Sequence, residues 1–147
     1  MADKQVKVSG AQIMQAYETE RAKMESIIAR LNQISGLKND ISAADSVLES
    51  LGKAGKGGKV KLPVGAGIYV DATIDDPKLV GMALAGNIML PAATEAAREE
   101  LAKRLADIEK ALESAEKERQ FTAANLDNLG RAINVLRQNA AQAARRQ

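Results

Sequence analysis

Neither cysteine nor histidine occurs anywhere in this sequence of 147 residues, tryptophan is absent, and the aromatic residues are one phenylalanine and two tyrosines. Without cysteine there is no disulfide framework and no thiolate metal site. Without histidine the usual neutral-pH acid/base and the commonest metal ligand are missing. An aromatic share of 2% beside an apolar share of 46% is unusual for a globule. Much of the apolar fraction is alanine, which costs no side-chain entropy in a helix but buries little area, so long helices are favoured over a thick core. No apolar run approaches the roughly 20 residues of a membrane span, and the polar start at residues 1–7 does not read as a signal peptide. A reduced, cytoplasmic setting with no membrane partner is the expectation. The net charge of +2 is too mild to argue for nucleic acid, and acids and bases interleave along the chain instead of concentrating on one arm.

What is present is a pair of heptad-patterned segments. From Leu101 the apolar positions step through Leu105, Ile108, Leu112 and Ala115, then resume at Leu126, Leu129, Ile133, Leu136 and Ala140. Gaps of four and three alternate, a 3.5-residue repeat that forms a seam for a partner helix. Between about residues 13 and 51 a matching seam runs through Ile13, Tyr17, Met24, Ile27, Leu31, Ile34, Ile41 and Leu48. The nearest partner is therefore in the same chain. Arg119 and Thr122 interrupt the second seam, and Lys38 and Asp45 the first; polar groups at such positions more often fix register than bind a ligand.

Local signals set the boundaries. Ser9 followed by Gln12 is a capping-box pattern that predicts a first helix over about residues 10–51, with Gly52 ending it. Residues 53–59 read as a flexible basic linker. Between residues 59 and 90 the period changes. Ile68, Val70, Ala72 and Ile74 alternate with Tyr69, Asp71 and Thr73, Val80, Met82 and Leu84 repeat the alternation, and half-buried strands follow from it. Gly65, Ala66 and Gly67, then Ala85, Gly86 and Asn87, supply two hairpin turns, with Asp75, Asp76 and Pro77 between them. Four short strands are predicted. A second helix is predicted over about residues 91–145. Pro91 suits its first turn; Glu95, Glu99 and Glu100 suit the positive end of its dipole, and Arg137, Arg145 and Arg146 the negative end.

This order of helix, two hairpins and helix, with Pro63, Val64, Gly65, Ala66 and Gly67 in the first hairpin, resembles a prefoldin α-class subunit of archaeal type across nearly the whole chain. The two hairpins carry the α-class likeness, since β-class subunits have one; residues 85–93 depart from the family's usual glycine-rich turn and charged strand end. The resemblance implies a mainly α fold with a small β part: a long antiparallel intramolecular coiled coil whose helices are joined by two β-hairpins that assemble into an intersubunit β-barrel. It implies a hetero-hexamer of two α and four prefoldin β-class subunits, and an ATP-independent holdase that captures non-native client proteins at coiled-coil tips and delivers them to a group II chaperonin. An architectural coiled-coil filament subunit of the same fold is the alternative.

Physical reasoning reaches the same places. Isolated hairpins are only marginally stable in water, so strands from other chains must cover these. Val60, Leu62, Val64, Ile68, Val70, Ile74, Val80, Met82, Leu84 and Ile88 are the candidates for that oligomerisation surface. Equal rise on both helices puts Ile13 roughly opposite Ile133 and leaves the last turn or two beyond Leu136 overhanging. Ile13, Met14, Tyr17, Leu126, Leu129, Ile133, Val135 and Leu136 are accordingly the candidates for gripping unfolded chains, because an exposed apolar patch usually marks an interaction site. No cofactor and no catalytic or metal-ligating set is expected. Residues 53–59 lack the phosphate-loop register and sit between a helix and a strand, and Gly65 with Gly67 fails as a dinucleotide fingerprint because no helix follows. Neither a nucleophile with a base nor a metal cluster appears, so an enzyme is not expected.

Overall fold

The computed structural model describes residues 8–83, Gly86 and residues 88–146. Its elements are α1 (Gly10–Ala54), β1 (Lys59–Gly65), β2 (Ile68–Thr73), β3 (Leu79–Ala83), β4 (Met89–Ala93) and α2 (Thr94–Ala144). Two long helices flank two antiparallel hairpins, the fold class expected from the sequence. The chain divides into two compact units: residues up to Ile34 with those from Ala111 onward, and Ser35–Lys110.

In the first unit α1 begins as its capping box dictates. The Ser9 amide donates to Gln12 Oε1 at 2.8 Å and the Gln12 amide to Ser9 Oγ at 3.3 Å, so two N–H groups without helical acceptors are satisfied reciprocally. The two helices here run antiparallel. Glu118 receives both Arg30 and Lys23 from the facing helix, the latter at 3.8 Å, and a Cβ placed on Gly10 would lie 3.5 Å from Leu136 Cδ1. Ile27, Ala115, Thr122 and Ile133 are buried along the seam. Thr122 is fully enclosed, and its hydroxyl has no hydrogen-bond partner.

The second unit joins helix to hairpin by short-range hydrogen bonds. Gly52 does not stop α1, which runs on to Ala54. A glycine weakens a helix but only a left-handed residue turns the chain out of it, and Gly55, at φ 71°, is that residue. The basic segment that follows is ordered by pairing: the Gly57 amide donates to Ile74 O at 2.7 Å and the Ile74 amide to Gly58 O at 2.9 Å, extending the β1–β2 ladder. That ladder closes through Ala66 and Gly67, both at positive φ as a two-residue type I′ turn requires, and Val64 forms a bulge between Pro63 and Gly65. At the second connection Asp76 Oδ1 accepts the Lys78 amide at 2.9 Å, an Asx turn. Thr94 then anchors α2, its amide donating to Lys78 O at 2.9 Å and its hydroxyl to Pro77 O at 2.8 Å.

Pro91 lies in β4, opposite Gly81, and not in the first turn of α2. A five-residue edge strand tolerates proline because its missing N–H faces no third strand. With the helix starting at Thr94, Glu95 is the acidic residue of its first turn, and its last turn carries no basic residue. Each hairpin is a separate two-stranded sheet. Leu84, and Ala85 and Asn87 of the second turn, lie outside the described residues.

Candidate functional site

Register decides which side chains share a face of each hairpin. Directly opposed residues of an antiparallel pair lie on one side, so Val60 with Ala72 and Leu62 with Val70 make one face of the first hairpin, and Lys59 with Thr73, Lys61 with Asp71 and Pro63 with Tyr69 make the other. The second face is polar, and Lys61 Nζ meets Asp71 Oδ1 at 2.6 Å. The first is apolar. Of the sequence-predicted assembly residues, Leu62, Val64, Ile68, Val70 and Ile88 are exposed, while Val60, Ile74, Val80 and Met82 are half-buried.

The second hairpin is apolar on both faces. Val80, Ala92, Met82 and Leu90 line one side, and Leu79, Ala93, Pro91, Ala83 and Met89 the other, with Met89 Cε folded over Gly81. Val80 and Met82 border a groove shared with Ala44, Leu48, Ala97 and Leu101 of the helices. Leu79, Met89 and Leu90 are exposed and are not among the sequence-predicted assembly residues.

The helix ends lie in the first unit. Ile133 is buried there, and Ile13, Tyr17, Leu126 and Leu129 are half-buried in the seam. Met14, Val135 and Leu136 face water at 42%, 54% and 39% exposure. Met14 and Val135 stand one position off the seam, which is why the facing helix leaves them uncovered. All side chains from Asn134 to Arg146 are exposed.

Of the polar groups that interrupt the seams, Lys38 and Asp45 find partners across the helix pair, whereas Arg119 pairs with Glu116 of its own helix and Thr122 has no partner. In the second unit Lys38 Nζ meets Glu109 Oε1 at 3.1 Å. Asp45 takes both arms of Arg98, Nε at 2.7 Å and Nη2 at 3.2 Å. That fork holds the Asp45 carboxyl below its ordinary value, chiefly through the hydrogen bond, which outweighs the opposing effect of desolvation, with the Arg98 charge adding a smaller push in the same direction. Glu49 is lowered chiefly by its hydrogen bond to Lys53, and Glu116 by its hydrogen bond to Arg119. The two pairs that cross between the helices, Lys38 with Glu109 and Asp45 with Arg98, fix their register. Among the described residues no group of three or more carboxylates is placed to hold a metal ion, and no helix is long and apolar enough to cross a membrane.

Each unit thus pairs stretches of the two long helices, and the second adds two hairpins with exposed apolar side chains. The prefoldin subunit family matches residues 21–142, and the chain belongs to the prefoldin family. Membership implies assembly with other prefoldin subunits. Among solved structures the chain is similar to filamentous PFD from Methanocaldococcus jannaschii, determined by cryo-EM: TM-score 0.67 and 19% identity over 78% of this chain and 95% of that one. At that identity the likeness establishes the fold. No curated protein sequence matches.

Proposed function

We propose that the chain is an α-class prefoldin subunit acting as an ATP-independent holdase. Its hairpins join those of β-class subunits, two α with four β, in a β-barrel platform, and its helix ends capture non-native proteins and deliver them to a group II chaperonin in the cytoplasm. The observation that carries this reading is the exposure of Met14, Val135 and Leu136 at the paired helix ends. Each offers apolar area worth roughly 25 cal/mol per Å² when covered. A few such side chains bind weakly, and several helix pairs on one platform raise the effective concentration and so the avidity. The two hairpins support the α-class assignment. Capture by exposed surface needs no catalytic chemistry, so the chain is read as a non-enzyme.

The test is suppression of client aggregation by the assembled particle, with and without residues 1–16 and 130–147. Loss of suppression with the particle mass otherwise preserved supports capture at the helix ends; full suppression by the shortened particle contradicts it. Adding ATP should change neither capture nor release. A second reading, an architectural filament subunit, is favoured by the filamentous form of the similar archaeal structure. Light scattering separates the two, since a particle of fixed mass supports the holdase and an indefinite ladder of sizes supports the filament.

A further inference from the structure

Charge changes character along the first unit. Arg21 with Glu25, Arg30 and Lys23 with Glu118, Lys117 with Glu113, Arg119 with Glu116 and Arg131 with Asp127 keep acids and bases paired. Past Asp127 the pairing stops. From Asn128 to Arg146 the chain has four arginines and no carboxylate, and on the facing helix residues 10–17 carry no charge. Arg137, Arg145 and Arg146 are exposed and have no ion-pair partner among the described residues. A helix dipole accounts for cations only within about the last turn. Arg137 sits two turns before the helix end at Ala144, so the dipole does not explain it.

A recess of mixed lining adjoins this surface. Met14, Tyr17, Gly130 and Ile133 give a cleft of about 330 Å³ its apolar part, and Glu18, Asn134 and Arg137 its polar part. Gly130 is inside α2, where glycine costs about 1 kcal/mol relative to alanine. A Cβ built on it meets nothing within 4 Å. The recess is therefore open at that position.

We propose that the helix ends prefer acidic apolar clients: non-native polypeptide segments in which large apolar side chains stand beside Asp and Glu. The apolar group enters the recess at Gly130, and the client carboxylates meet Arg137, Arg145 and Arg146. This rests on the capture reading above and adds which segments are taken.

The test uses the assembled full-length chain and two fluorescein-labelled unfolded peptides of equal length and apolar content, one bearing Asp and Glu and the other Asn and Gln. The acidic peptide should bind about fivefold more tightly at low salt, the sum of three modest exposed ion pairs. Raising ionic strength from about 0.01 M to about 1 M shortens the Debye length from about 30 Å to about 3 Å and should erase that preference. The triple variant Arg137→Gln, Arg145→Gln, Arg146→Gln should erase it at low salt, so that the two peptides bind alike. Gly130→Leu should weaken both peptides without changing particle mass; unchanged affinity for both removes the recess from the site. Equal, salt-insensitive binding of the two peptides overturns the preference and leaves capture standing. Failure to bind either peptide overturns capture itself. A single-stranded oligonucleotide that binds as tightly as the acidic peptide shows a surface that reads any polyanion, and also overturns the proposal.

Discussion

In the first unit Ile27 is 2% exposed, whereas in the second Ile68, the same side chain, is 60% exposed. The contrast holds around each of them. Ile27 lies in a seam with Ala115, Thr122 and Ile133, where the chain's own second helix removes apolar surface from water. Ile68 stands with Leu62 and Val70 on a hairpin face that no described residue covers. Two helices can bury a heptad stripe against each other, but among the described residues this first hairpin has no third element to lie on. Fully covering each of those side chains would contribute about 1.5–3 kcal/mol, so the hairpins hold the larger unspent stabilisation. One region is covered within the chain, and the other is left exposed by it.

The largest expected effect comes from breaking the incomplete region. Ile68→Asp with Val70→Asp places two charges on the face that must be buried, and should reduce particle mass towards the 15.6 kDa of one chain, read by light scattering, with helicity by circular dichroism nearly unchanged. Retention of the full mass would show that this face is not the platform. Next in size, Ile27→Ala removes a buried side chain from the completed region and should cost about 2–4 kcal/mol in thermal or denaturant unfolding. Its neighbour Ile28, on the solvent side of α1, should cost no more than about 0.5 kcal/mol when cut to Ala. Equal costs for the two would deny that the seam buries Ile27.

A smaller change sharpens the account of the seam. Thr122→Val replaces a fully enclosed, unpartnered hydroxyl by a methyl group of nearly the same volume, and should stabilise the first unit by about 1 kcal/mol in the same unfolding measurement. Smallest is the acid response of the second unit. Because Arg98 depresses the Asp45 carboxyl below its ordinary 3.8, the pair's contribution is fully present above that value and is lost as pH falls through the depressed folded-state pKa. Asp45→Asn should therefore flatten the low-pH end of the stability profile and leave the neutral end little altered, since exposed pairs contribute modestly. A wild-type profile with no loss below pH 3.8 would contradict the fork.

How far the sequence is legible follows from whether a signal is local. The start of α1 was readable because Ser9 and Gln12 satisfy each other within one turn. The end was misplaced because Gly52 and Gly55 look alike as letters, and φ alone distinguishes them. Pro91 misled for a related reason: a missing N–H is tolerated both at a helix start and on a sheet edge, and only the pairing with Gly81 decides. Lys38 and Asp45 were visible as seam interruptions, but Glu109 and Arg98 become their partners only when the register of antiparallel helices is known. The helix-end candidates include heptad positions and, in Met14 and Val135, neighbours one place off the heptad. Their exposures range from buried Ile133 to open Val135, because neighbouring positions on one helix point to different sides of the seam.

The central claim is that the helices close within the chain and the hairpins do not. Native mass measured on the purified chain, alone and mixed with a one-hairpin prefoldin β-class subunit, tests it most directly. The account requires the chain to enter a particle heavier than either component, with the Ile68→Asp, Val70→Asp variant failing to enter it. A helical chain that stays at 15.6 kDa in both samples would contradict it.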